Sequence, residues 1–135
     1  MKKFMRSGIS ALALAALFGG MEFAHHGRAG YGDKITTVKG TVTGVQWKNP
    51  HVFLEFDVKD AAGKNVAWLG ELSSPATMMA AGMSRTTLKP GDEIVLRGKV
   101  GQGGDPVVLV DSITHDGKPI VGDPSQEGRF IQNTR

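Results

Sequence analysis

One stretch near the middle of the chain restricts the possible fold more than any other. Residues 51–58 alternate strictly, and every second side chain is apolar. The apolar series on the first side is Val52, Leu54, Phe56 and Val58. A period of two with one apolar side is typical of a half-buried β-strand, because successive side chains of a strand point to opposite faces. The stretch therefore predicts a sheet with one face packed against a core.

Turn residues and β-branched runs on either side of this stretch predict four more strands. They lie at 35–47, 65–72, 93–100 and 107–114. The first of them carries Gly40 and Gly44, and glycines inside a strand usually mark bulges or strong coiling. Ile120 is assigned to a short final pairing. Together these segments predict one domain over residues 35–120.

A short helix is predicted between the third and fourth strands. Ser74 can accept a hydrogen bond as the amino-terminal cap, and Pro75 suits the first turn. Residues 76–81 favour a helix, and Gly82 can end it. Three strands, a helix and two strands are the element order of a five-stranded OB-like barrel, so the predicted class is all-β with small α content. An open β-sandwich that carries a helix is the alternative.

The same alternation separates a core from an outward surface. The predicted core members are Val52, Leu54, Phe56, Val66, Trp68, Leu72, Ile94, Leu96 and Leu109. Phe53 and Leu69 fall on the outward faces of the second and third strands. Trp47 lies at the junction between the first strand and the following loop, and Asn49 lies in that loop. In OB-type barrels this region binds ligands, so these four residues form a candidate ligand face. The alternative is that the arm or tail of the chain covers them.

The amino terminus has the anatomy of a signal peptide over residues 1–24. Three of the first six residues are basic, and the apolar run 9–18 that follows is too short for a permanent membrane span. Cleavage is expected after Ala24, a small residue. Cleavage after Ala29 and an uncleaved membrane anchor are the alternatives. The mature protein is therefore expected in the periplasm or outside the cell.

Cleavage after residue 24 would also lower the net charge of the chain from +3. The chain has 16 basic and 13 acidic residues, and residues 1–24 contain three and one of them, which leaves 13 against 12, or +1. This balance gives no electrostatic footprint for nucleic acid. Cysteine is absent, which excludes disulfides and thiolate metal sites. Residues 25–34 are expected to form a flexible arm and residues 121–135 a loose tail.

Several short motifs together resemble a known family. They are Ala24-His25-His26-Gly27, Tyr31, Gly40-Thr41-Val42, Trp47-Lys48-Asn49-Pro50-His51, Trp68, Glu71, Ser74-Pro75 and the turn at 88–92. Over His25 to Lys118 the chain resembles the family of small exported bacterial proteins called domain of unknown function 6152. The resemblance implies a periplasmic, signal-bearing, barrel-like protein. It implies no activity, because none is established for the family.

Histidines at the expected mature terminus and before the second strand form a candidate metal site. Cleavage after residue 24 gives His25 a free amine, which can chelate one metal ion together with its own Nδ1. A third nitrogen from His51 or His26 completes a T-shaped set suited to Cu(II). His26 is the weaker partner, because adjacent residues of a strand point to opposite faces. The alternative is that His25 and His26 form a polar start and that His51 is a hydrogen-bonding strand end.

No complete catalytic set appears, since the chain lacks a nucleophile elbow, a phosphate loop and an HExxH motif. The outward carboxylates Glu55, Asp57 and Glu71 are interpreted as solvated charges or cross-strand partners of lysines. We therefore expect a small binding protein with a copper or other metal site at the mature amino terminus. The alternative is a module whose outward face on strands two and three binds a non-metal ligand or a protein.

Overall fold

The computed structural model of the protein describes residues 30–125. The predicted signal peptide, His25 and His26 of the arm, and residues 126–135 of the tail lie outside the described residues. The elements, in chain order, are β1 (Tyr31–Gln46), β2 (Phe53–Lys59), β3 (Asn65–Glu71), α1 (Pro75–Ala80), β4 (Glu93–Gly101), β5 (Val107–His115) and β6 (Lys118–Val121). No helix among residues 30–125 is long and apolar enough to cross a membrane.

The strands form one six-stranded sheet whose hydrogen bonding closes into a ring. Their order is β3-β2-β1-β4-β5-β6, and β3 also pairs with β5. The β3–β5 pairing is parallel, and the other five pairings are antiparallel. The all-β prediction is confirmed, and the pairing predicted at Ile120 is strand β6. A two-sheet sandwich does not fit, because all six strands belong to one sheet.

The helix begins at Pro75, directly after the predicted cap Ser74 and one residue before the predicted start at residue 76. The Ser74 hydroxyl accepts a hydrogen bond from the Thr77 backbone N–H at 3.2 Å, and Pro75 occupies the first turn. Gly82 adopts a φ of +90°, a conformation that L side chains rarely reach, just past the helix end. Met78 projects from the helix into the core and is fully buried.

Strand β1 is longer than predicted, and it pairs with β2 on one side and with β4 on the other. It begins at Tyr31, so residues 31–34, which the sequence assigned to the arm, belong to the strand. Its register shifts between Val42 and Gly44, which confirms an irregularity at a strand glycine. Gly40 is required for close packing: a Cβ there would lie 2.6 Å from the Phe56 ring. Because Gly40 has no side chain, the Phe56 ring can pack in the core beside it.

Most of the predicted core is buried. The confirmed members are Val52, Leu54, Phe56, Leu72, Ile94 and Leu96. The prediction for Val66 is wrong: it is 37% exposed, because it pairs with Val58 near the β2–β3 turn, where the hairpin extends past the core. Leu109 is only half-buried, because Val108 and Val110 take the inward positions of β5. Trp68 is half-buried and packs on Phe56, with ring centroids 6.2 Å apart.

We expect Phe56→Ala to lower the free energy of unfolding by about 3–5 kcal/mol, since it removes a fully buried ring from the centre of the core. Urea titration followed by circular dichroism measures this loss. Met79→Ala is the control, because Met79 is exposed on α1, and its effect should stay within about 0.5 kcal/mol. A loss below about 1 kcal/mol for Phe56→Ala would place the ring outside the core.

A charged cluster joins the end of β5 to the start of β4. His115 Nδ1 lies 2.8 Å from the Glu93 carbonyl oxygen. Its Nε2 lies 3.2 Å from an Asp116 carboxylate oxygen and 3.9 Å from one of Asp92. The pKa of His115 is raised, chiefly because the protonated ring donates to the Glu93 carbonyl and also because of the two carboxylates; partial desolvation opposes the shift. Lys118, which pairs with His115 in the sheet, is the neighbouring cation.

A raised pKa in the folded state means that protonated His115 stabilises the fold. This contribution is complete below the ordinary histidine pKa of about 6.5 and is lost as the pH rises through the higher folded value. Urea unfolding from pH 5.5 to about 8.5 should therefore show wild type losing stability relative to His115→Gln as the pH rises. Parallel stability curves for the two proteins would contradict the assignment.

Candidate functional site

Three polar side chains from distant parts of the chain meet at one end of the sheet. Glu71 ends β3 opposite Phe53, and His51 stands two residues before Phe53 on the same outward side. The β2–β3 pairing continues past the strand ends, because Val52 N–H donates to the Ser73 carbonyl and Leu72 N–H to the Val52 carbonyl, both at 2.9 Å. His51 is therefore a diagonal cross-strand neighbour of Glu71.

Tyr31 contacts the same carboxylate from the other side, because β1 is linked to β3 through β4 and β5 as well as through β2. It starts β1 opposite Gly101 of β4, and the end of β4 pairs with the start of β5. Strand β5 in turn pairs Leu109 with Glu71. The closure of the ring thus brings a side chain 40 residues away against Glu71. We call Tyr31, Glu71 and His51 the carboxylate cluster.

Glu71 uses both of its carboxylate oxygens in this cluster. The Tyr31 hydroxyl donates to Oε2 at 2.7 Å, and His51 Nδ1 lies 2.7 Å from Oε1. Burial raises the pKa of Tyr31 well above its ordinary value, and the hydrogen bond and the negative charge of Glu71 raise it further. The phenol therefore stays protonated and acts as a donor. Tyr31 is nearly buried, whereas the His51 side chain is 39% exposed.

The hydrogen bond to Glu71 decides which nitrogen of His51 is available. A carboxylate accepts hydrogen bonds, so Nδ1 must carry the proton that it donates. In the neutral ring the lone pair is then on Nε2. His51 thus has one nitrogen held by the protein and a second nitrogen able to accept a proton or bind a metal.

The candidate ligand face is less open than the sequence predicted. Phe53 has the outward orientation in its strand but is only 9% exposed, and the Lys48 ammonium lies 5.6 Å from its ring centroid. Trp47 is partly buried against the core. Leu69 is half-buried where β3 pairs with β5, and its N–H donates to the Pro106 carbonyl at 3.0 Å. Asn49 is exposed, and its peptide bond to the following proline is cis.

The sequence indicates His51 as a candidate but does not indicate Glu71 and Tyr31 as its partners. Glu71 could have been identified from the sequence. Its side chain lies on the same outward face of the third strand as Leu69, and the pairing of strands two and three places it near His51. No local signal indicated Tyr31, because its position next to Glu71 depends on ring closure. His25 and His26 lie outside the described residues.

Within residues 30–125 no group of three or more histidine and acidic side chains is close enough to hold a metal ion. Each Glu71 oxygen has one partner in the carboxylate cluster, the Tyr31 hydroxyl at Oε2 and His51 Nδ1 at Oε1. Of the two ring nitrogens of His51, Nε2 is the one that does not face Glu71. A metal at this position would need further ligands from outside the described part of the chain.

A separate open groove lies over β1 where it pairs with both β2 and β4. Its volume is ≈ 650 Å³, and its lining includes Lys39 and Lys59 together with Asp57 and Glu93. Its lining includes none of the predicted site residues and none of the carboxylate cluster. The groove and the carboxylate cluster are therefore distinct features of the surface.

The molecule is a small all-β protein with a carboxylate-held histidine at one end of its sheet. It belongs to a family of unknown function (DUF6152), whose model matches residues 13–109, more than half of the chain. This confirms the family resemblance found in the sequence. A search of curated proteins gave no match.

Among solved structures, the chain is similar to the crystal structure of the ZRD-deleted mutant of TiaS in complex with agmatine. The two share 16% sequence identity with a TM-score of 0.43. The match covers 72% of this chain and 24% of that chain, so this protein spans about a quarter of the length of TiaS in that structure.

The cluster geometry makes a prediction about the tautomer of His51. Nitrogen-15 NMR at mildly alkaline pH should show His51 protonated at Nδ1 in the wild type, because the Glu71 carboxylate accepts a hydrogen bond from that N–H. Glu71→Leu removes the acceptor, so the spectrum should shift towards a mixture of the two tautomers. Asp57→Asn, on the same outward side of β2, should leave the His51 signals unchanged. Equal tautomer populations in wild type and Glu71→Leu would contradict the assigned hydrogen bond.

Proposed function

We propose that this protein is exported and binds one Cu(II) ion at its mature amino terminus, with His51 Nε2 as the ligand supplied by the folded domain. The observation that carries the proposal is the contact between His51 Nδ1 and Oε1 of the Glu71 carboxylate, which lie 2.7 Å apart. Histidines that bind metals almost always donate their other ring N–H to a carboxylate, a carbonyl or water. The carboxylate fixes the ring orientation and makes the free nitrogen a better ligand.

The exposure of the residues supports a ligand role for His51. Its side chain is 39% exposed, whereas Glu71 is 18% exposed and Tyr31 is nearly buried. The cluster therefore has a shielded hydrogen-bonded side and an accessible imidazole.

The remaining ligands are proposed to come from the expected mature terminus. Cleavage after Ala24 would give His25 a free amine next to its own imidazole, so two nitrogens would be tethered before the metal binds. Strand β1 begins at Tyr31, whose hydroxyl contacts the same Glu71 that holds His51. The six residues 25–30 span up to roughly 20 Å when extended, at about 3.3 Å per residue. His51 is thus within reach of the amine and imidazole of His25, or of His26.

The chemistry of this ligand set supports copper over other divalent metals. Imidazole and amine nitrogens suit Cu(II), Ni(II) and Zn(II), and Cu(II) has the highest affinity in the divalent order. A tetragonal arrangement of nitrogens is also the geometry that Cu(II) prefers. Hard cations such as Mg²⁺ and Ca²⁺ require several oxygen ligands, and the carboxylate cluster contains a single carboxylate, Glu71.

The alternative proposal is an interaction module that binds a non-metal ligand or a protein through the outward face of β2 and β3. Trp47, which is partly buried, and Asn49, which is exposed, favour it, because they lie in the segment just before His51. It has less support, because Phe53 is buried and Leu69 half-buried, so little apolar surface is open on that face.

Protein recovered from the periplasm of an expressing bacterium tests export and metal binding together. Intact-mass analysis should give a chain that begins at His25. Titration followed by electron paramagnetic resonance should show one Cu(II) per chain. His51→Ala, and a form with one extra residue before His25, should each bind Cu(II) at least about tenfold more weakly, because each loses a nitrogen ligand.

The matched control is His115→Ala, which removes an imidazole far from the amino terminus of β1 and should leave the Cu(II) spectrum unchanged. A mature chain that begins at Gly30 would overturn the proposal, because it lacks both His25 and His26. Identical spectra and affinities for wild type, His51→Ala and the extended form would overturn it as well and would favour the interaction module.

A further inference from the structure

We propose that the open groove over β1 binds a small zwitterion, an amino acid whose ammonium and carboxylate are separated by several methylene groups. The volume of the groove, ≈ 650 Å³, is in the range of sites that hold small molecules. Binding there would be independent of any metal, because the lining of the groove contains no residue of the carboxylate cluster.

The carboxylates of Asp57 and Glu93 line the groove on either side of β1. In the register of the sheet both residues stand opposite Thr41, Asp57 on β2 and Glu93 on β4. Neighbouring strands lie about 4.8 Å apart, so the two backbones are roughly 10 Å apart with Thr41 between them. We call these three residues the acidic row. An ammonium group placed over Thr41 would lie between two carboxylates.

Two lysines of the groove, Lys39 and Lys59, lie further along the same strands. Each is two residues from the acidic row, and two residues of a strand rise about 7 Å. Because β1 and β2 are antiparallel, both steps lead in the same direction. Lys39 stands opposite Val95, and Lys59 opposite Asn65, whose Oδ1 accepts a hydrogen bond from Lys59 Nζ at 3.1 Å. The lysines therefore form a basic row about 7 Å from the acidic row.

The opposite charges of the groove do not neutralise one another. Within residues 30–125 no ion pair joins either lysine to Asp57 or Glu93. Opposite charges stabilise a sheet as directly facing cross-strand pairs, whereas each of these four residues faces a neutral one. A further carboxylate at the groove, Asp116, differs, because its Oδ2 lies 3.2 Å from His115 Nε2. Two positive and two negative charges thus face the groove without an ion pair among the described residues.

The balance and spacing of these charges indicate the class of ligand. Two positive and two negative charges sum to zero, so the groove is complementary to a ligand with one charge of each sign. A carboxylate fits this balance better than a phosphate dianion, which would add net negative charge. In extended 5-aminopentanoate the charged groups lie roughly 6–7 Å apart by ordinary bond lengths, so this molecule spans the two rows. A singly charged ligand would engage only one row.

NMR titration of the ¹⁵N-labelled protein with 5-aminopentanoate, glycine, pentylamine and pentanoate tests the proposal. The amide signals of Thr41, Asp57 and Glu93 should shift with 5-aminopentanoate. It should bind at least about threefold more tightly than each of the other three compounds, because only 5-aminopentanoate reaches both rows. Its binding should weaken as the NaCl concentration rises, since the charges of the groove are open to solvent.

Variants then assign the binding to the two rows. Lys39→Met and Glu93→Gln each remove one charge at an exposed position of the groove. Each should weaken the binding of 5-aminopentanoate about threefold or more. Lys99→Met is the matched control, because Lys99 lies on β4 outside the lining of the groove, and its affinity should equal that of wild type.

Equal affinities for 5-aminopentanoate, pentylamine and pentanoate would overturn the proposal, and so would the absence of any shift in the acidic row. This comparison uses wild-type protein only, so it decides the matter even if a variant fails to fold. Wild-type affinity in both Lys39→Met and Glu93→Gln would also overturn the proposal. The titrations contain no metal, so their outcome is separate from that of the Cu(II) experiments.

Discussion

The parallel pairing of β3 with β5 is the contact on which both the core and the candidate site depend. It comprises three registered pairs, Leu69 with Val107, Gly70 with Val108, and Glu71 with Leu109. Every other pairing in the described chain links strands into an open antiparallel sheet, and this one closes the sheet into a ring. Closure encloses the apolar face of β2. It also places the end of β3 beside the start of β1.

Glu71 stands at that closing contact, and its chemistry follows from its position. Its backbone is held on one side by β2 and on the other by β5, so the carboxylate is presented from rigid strands. A side chain supported in this way can hold two partners at 2.7 Å at once. One partner is shielded and the other is partly exposed. The result is a histidine whose Nδ1 is held by the protein and whose side chain is 39% exposed.

Much of the fold could be predicted from local sequence patterns. The errors arose where burial or contact depends on the tertiary structure and not on neighbouring residues. The alternation at 51–58 identified the buried face of β2, and Ser74 identified the start of α1 because a cap is a property of adjacent residues. Val66 was misplaced because its strand extends past the core, and the length of a hairpin beyond a core is not visible in its alternation. His51 was identified as a candidate, but its partners were not.

The sequence by itself determined the strands, the helix and the family, because periodicity, caps and motifs involve residues close together in the chain. Only the tertiary structure decided what Glu71 does, since its partners come from 40 residues away in Tyr31 and 20 positions away in His51. Because alternation places Glu71 on the outward face of its strand, the sequence alone could not distinguish it from a solvated carboxylate. Ring closure placed a buried hydroxyl on one of its oxygens, and the β2–β3 pairing placed an imidazole on the other. No local pattern encodes the meeting of the three side chains.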